Sequence, residues 1–106
     1  MDLTWQISVH PGVNDDARQL LGYYSDIDPG LARALVDEVE AGFSFLVRYP
    51  LGAATFHGKF RRVALRRFPC LICYRVIPST RTVRVLALVD PRRDPASIHE
   101  TLTGRR

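Results

Sequence analysis

The chain has 106 residues, 46% of them hydrophobic and 25% charged, with a formal net charge of +4; that is the size and content of one ordinary domain with a single core, read here as 1–106. The longest strongly apolar run, Val85 to Val89, is too short to cross a membrane, and no basic region followed by an apolar stretch opens the chain, so it reads as cytoplasmic with no membrane partner. Charge is unevenly spread: residues 1–56 carry eight acidic and three basic side chains, and residues 57–106 twelve basic and three acidic, giving −5 and +9, which suggests an anionic partner for one face.

In chain order, Leu3, Trp5, Ile7 and Val9 alternate with polar residues, which predicts a half-buried strand ended by His10-Pro11-Gly12. Asn14 or Asp15 can cap a helix with the apolar stripe Ala17, Leu20, Leu21 and Tyr24. Asp28-Pro29-Gly30 stops it and starts a second helix, with Asp28 as cap and Pro29 in the first turn. That helix buries Ala32, Leu35, Val36, Val39, Phe43 and Leu46, shows Asp37, Glu38 and Glu40 outward, and ends near Arg48. So short a link makes an antiparallel helical hairpin. After a loop over 49–58 come three strand candidates, about 59–67, 70–77 and 82–89, and a short helical turn around 96–102. The fold class is therefore α+β, in the order β-α-α-β-β-β, with the hairpin on one face of a mainly antiparallel sheet.

Strand parity divides the basic half. Val63, Leu65, Ile72, Tyr74 and Val76 fall on the hairpin side. Phe60, Arg62, Arg66, Leu71, Cys73 and Arg75 fall on the other, which is expected to be open. A face mixing Phe, Leu and Arg is too apolar for plain solvated surface and is a candidate binding surface. Cys70 and Cys73 are spaced like a metal or redox pair, yet three residues apart on a strand they point to opposite faces, and no second pair completes a tetrahedral site. They read as reduced, buried thiols, with no metal and no cofactor implied. His10 and His57 flank turns and read as surface residues.

The order of elements resembles the RelE/ParE superfamily of toxins from bacterial type II toxin–antitoxin systems. So do Leu20-Leu21-Gly22-Tyr23-Tyr24, the stretch Phe60-Arg61-Arg62-x-x-Leu65-x-Arg67-Phe68-Pro69-x-x-Ile72-x-Tyr74-Arg75-Val76, and Val83-Arg84-Val85-Leu86-Ala87-Leu88-Val89 followed by Arg92-Arg93-Asp94-Pro95. The resemblance implies a small toxin wrapped and neutralised by a cognate antitoxin protein. RelE-like members cut messenger RNA in the ribosomal A site; ParE-like members poison DNA gyrase. The nucleases place a catalytic Arg where this chain has Leu71, and two alternating basic residues where it has Arg62 and Ala64. Metal-free RNA cleavage needs groups that move protons and stabilise phosphorane charge, so losing two of them favours the ParE-like reading. Under the alternative, a ribosome-dependent endoribonuclease acting on mRNA, Arg62 and Arg92 or Arg93 would hold the phosphate, with His99 as acid or base. The chain departs from the ParE-like pattern at Cys70 and Asp90, and no motif specifies gyrase-contacting residues. The expected antitoxin- or target-binding set is Phe60, Arg62, Arg66, Leu71, Arg75, Arg92 and Arg93.

Overall fold

In the computed structural model, which describes residues 4–106, the chain runs β1 (Gln6–Val9), α1 (Gly12–Ile27), α2 (Pro29–Arg48), β2 (Thr55–Phe56), β3 (Phe60–Ala64), β4 (Leu71–Ile77), β5 (Thr82–Val89) and α3 (Pro95–Gly104). Leu3, expected in the first strand, lies outside the described residues. The five strands form one sheet in the order β1-β5-β4-β3-β2. β1 runs parallel to β5, and every other pair is antiparallel. The α+β class and the helical hairpin on a mainly antiparallel sheet are as expected; β2 and the full length of α3 are additions.

Local chemistry explains the element boundaries. The Asp28 carboxylate accepts from the Gly30 N–H at 2.7 Å, satisfying a free donor at the start of α2, and Pro29 occupies the first turn. The start of α1 differs from the Asn14 or Asp15 cap expected. The helix begins at Gly12, where the His10 Nδ1 accepts from the Gly12 N–H at 2.9 Å. β3 stops at Ala64, three residues early, because Glu38 of α2 takes the backbone N–H groups of Arg66 and Arg67 at 2.9 and 3.0 Å. Glu38 is thus a half-buried tie between layers, not an outward-facing charge.

The hairpin covers one face of the sheet. Leu46, Ile72, Tyr74, Val83, Val85 and Leu88 form its buried centre, with Ala17, Leu20, Val39, Phe43, Val63, Leu65 and Val76 packed around it. The parity assignment of the hairpin side is borne out. Val36, expected inside, is 37% exposed. Gly42 gives α2 its close approach: a Cβ there would sit 2.5 Å from the Ile72 Cδ1. The buried Tyr74 hydroxyl donates to the Pro50 carbonyl at 3.0 Å and pins the loop that follows α2.

The opposite face is not open. Ile98 and Leu102 of α3 pack on Phe60, Leu71, Cys73, Leu86, Ala87 and Val89 in a second core. A β-bulge at Cys73/Tyr74 lets Leu86 and Ala87 both turn to this side, so β5 is buried on both faces. Cys70 sits in the first core and Cys73 in the second, on opposite sides of the sheet as expected. Both thiols are free, and burial pushes them up to about 11 and about 12. An ion pair closes the C-terminal end: Arg105 makes a double contact with Asp16 at 2.6 and 3.1 Å and donates to the Leu86 carbonyl, while Asp16 also accepts from the Leu88 N–H. No helix among the described residues is long and apolar enough to cross a membrane.

Candidate functional site

Strand register sets one row of side chains across the face that α3 shares. Ser8, Arg84, Arg75, Phe60 and Phe56 are successive partners on β1, β5, β4, β3 and β2. α3 packs on the Phe60 end of this row, and the arginines beside it are half-buried. Arg84 is held by the Ser8 hydroxyl at 2.6 Å and the Arg106 backbone oxygen at 2.9 Å. Arg75, next to it, has a buried Nε with no hydrogen-bond partner.

Between this row, the β2–β3 turn and the second half of α3 lies a cleft of about 340 Å³, lined by His57, Lys59, Phe60, Arg75, His99 and Arg106 among others. The turn is unusual: His57 takes a left-handed backbone conformation with φ of 47°, and Gly58 follows at 84°. A non-glycine residue there is costly, by about 1 kcal/mol, and persists only where its surroundings hold it. The turn brings the His57 ring to 4.8 Å from the His99 ring, between centroids, and to 5.1 Å from Phe56. The Lys59 ammonium lies 5.9 Å from the Phe60 ring centroid, and the Arg62 guanidinium sits 4.9 Å from that of Phe56. Chemically, the cleft offers two imidazoles and several cationic donors above an apolar floor.

The residues singled out in the sequence part company here. Phe60, Arg75 and His99 meet in the cleft, and Arg62 stands beside it on Phe56. Phe60 and Leu71, expected on an open face, are buried beneath α3; Leu71 lies outside the cleft, and Phe60 contributes only to its floor. Arg66 does not share the face of Arg62, because β3 has already ended; it lies against α2 near Glu38. Arg92 pairs with Asp90 at 2.6 Å, which holds that carboxyl down at about 2. Arg93 donates to the Ser97 and Thr101 hydroxyls at 2.9 and 3.0 Å. Neither arginine lines the cleft. His57 and Lys59 were missed as site residues; their one sequence signal is the Gly58 turn that places them.

A second surface runs along α2 and the free part of β3. β2 pairs only with Phe60 and Arg61, so the β3 edge from Arg62 to Ala64 has no strand beside it among the described residues. Next to it, Ala41, Gly42, Phe45, Val63 and Leu65 line an apolar groove, with Arg66 at its rim. Phe45, Tyr49 and Leu51 extend the apolar surface and are 42, 54 and 62% exposed. That much clustered apolar area beside an unpaired strand edge marks an interaction surface.

No protein-family model matches the chain. It is 26% identical over 104 residues to Toxin ParE2 of Mycobacterium tuberculosis, an alignment covering 97% of each protein. End-to-end similarity to a ParE toxin agrees with the resemblance to the RelE/ParE superfamily carried by the sequence motifs. The chain's fold is shared by two solved structures. One, the chromosomal ParDE toxin–antitoxin system from P. aeruginosa, matches with a TM-score of 0.71 at 16% identity, over 81% of this chain and 95% of that one. The other, the toxin–antitoxin complex RelBE2 from Mycobacterium tuberculosis, matches with a TM-score of 0.56 at 20% identity, over 83% and 99%.

Proposed function

We propose that this protein is the toxin of a type II toxin–antitoxin pair and acts in the ParE-like manner, arresting growth by binding DNA gyrase until a cognate antitoxin covers it. The observation that carries this reading is the end-to-end similarity to Toxin ParE2, which covers 97% of both proteins. The site supports it from another side. Where RelE-like nucleases resemble this chain, their catalytic Arg position is Leu71, and that side chain is packed under α3, out of reach of any substrate. Arg92 and Arg93, either of which could hold the phosphate in the nuclease alternative, are engaged by Asp90 and by Ser97 and Thr101 respectively.

The antitoxin belongs on the α2–β3 groove. An extended segment can add to the unpaired β3 edge through main-chain hydrogen bonds while its apolar side chains meet Phe45, Tyr49 and Leu51. Arg66 at the rim of the groove favours an acidic residue in that segment. Co-expression with any small reading frame found to adjoin this gene tests the pairing: growth arrest on induction, reversed by that neighbour, is expected, and arrest unaffected by it would refute the assignment. Phe45→Glu should weaken the complex at least tenfold in calorimetry and leave the thermal midpoint of the free toxin within a few degrees.

A further inference from the structure

We infer that the cleft between the β2–β3 turn and the second half of α3 is a binding site for a phosphate group. Lys59, Arg75 and Arg106 bring three permanent positive charges to it, and none of the side chains lining it is acidic. Arg105, at the rim, is already matched by Asp16. Arg84 stands next to Arg75 on the neighbouring strand and adds to the same field. Like charges gathered this closely repel, and an anion seated among them relieves the repulsion.

Two features point to a ligand and not to a merely basic surface. The Arg75 Nε is buried without a partner, a state that costs free energy unless an acceptor arrives. The His57 backbone is held in a disfavoured conformation whose effect is to set its imidazole against that of His99, over the same cleft. Guanidinium and ammonium groups and two imidazole rings line the cleft from four separate elements: the turn, β4, α3 and the chain that follows it. A phosphate, with oxygens pointing in several directions, can accept from all of them; a carboxylate has only two oxygens in one plane. The volume lies at the small end of ligand sites, suited to one phosphate and the group attached to it. This site is separate from the α2–β3 groove, and its existence does not depend on gyrase being the target.

The test is a titration of the free protein with inorganic phosphate at constant ionic strength, following the imidazole C–H resonances of His57 and His99 by NMR. Saturable movement of both is expected, with an unchanged far-ultraviolet circular dichroism spectrum as the control for the fold. Arg75→Gln should loosen phosphate about tenfold or more, as expected for losing a charge-assisted hydrogen bond, while Arg92→Gln should bind as wild type does. A short single-stranded oligonucleotide forms the second arm: tighter binding than inorganic phosphate assigns a nucleic-acid backbone as the source, and equal binding assigns a free or terminal phosphate. The inference is overturned if the shifts do not saturate, if acetate reproduces them, or if folded Arg75→Gln binds phosphate unchanged.

Discussion

Replacing Asp16 with Ala should be among the most damaging single changes outside the apolar core. The carboxylate accepts from the Arg105 Nη1 at 2.6 Å, the Arg105 Nη2 at 3.1 Å and the Leu88 N–H at 3.0 Å, and so joins α1, β5 and the chain after α3. Its side chain is 18% exposed and that of Arg105 21%. Removal strands the Leu88 N–H at about 1–3 kcal/mol and leaves a mostly buried guanidinium with only the Leu86 carbonyl. Breaking a fully buried pair costs roughly 3–5 kcal/mol; residual exposure here discounts that to about 2–3 kcal/mol. At about 4–8 °C per kcal/mol for a domain of this size, the midpoint should fall by roughly 10–20 °C in a thermal melt. Asp15→Ala is the control, since its pair with Arg18 is 70 and 79% exposed and should cost less than about 1 kcal/mol. Equal melting points for the two variants would refute the reasoning.

Other expectations concern the second core, the helix cap and the thiols. Leu102→Ala should cost about 3 kcal/mol in denaturant unfolding, because Leu102 is fully buried against the sheet; a loss under about 1 kcal/mol would mean that α3 does not seal this face. His10 titrates below its usual value because of burial and the charges of Arg105 and Arg84, so the folded state resists a proton that the unfolded chain accepts. The stability this gives is complete above the unfolded value of about 6.5 and is lost as pH falls through it. His10→Asn, which can still accept from Gly12, should flatten the fall in denaturation midpoint between pH 8 and 5.5, and an unchanged slope would exclude His10 as its source. Cys70 and Cys73, raised to about 11 and about 12, should react with a thiol reagent only as fast as the chain unfolds; rapid labelling under native conditions would contradict their burial.

The hairpin and its face of the sheet were legible because periodicities of 3.6 and 2 are written into neighbouring residues. The other face was not, and the reason is specific. α3 has an apolar stripe of only Ile98 and Leu102, too little to say which surface it covers. A signal did exist in the continuous run Val85 to Val89, since a strand covered on both faces loses its alternation. Arg66 was misplaced because the apolar alternation runs on through Leu65, whereas the strand is cut short by Glu38, 28 residues away. The cleft depends on a longer separation still: His57 and His99 come from opposite ends of the second half of the chain, and only register and the α3 packing bring their rings together. Arg75 was placed on the right face, but its unpaired Nε belongs to no local pattern.

Gyrase supercoiling in the presence of the purified toxin tests the proposed action most directly. Micromolar toxin should inhibit supercoiling and accumulate gyrase–DNA cleavage complexes, and pre-incubation with the antitoxin should abolish both effects. Supercoiling that proceeds unchanged, together with codon-phased cuts in translated messages after induction, would contradict the ParE-like reading and establish the nuclease instead.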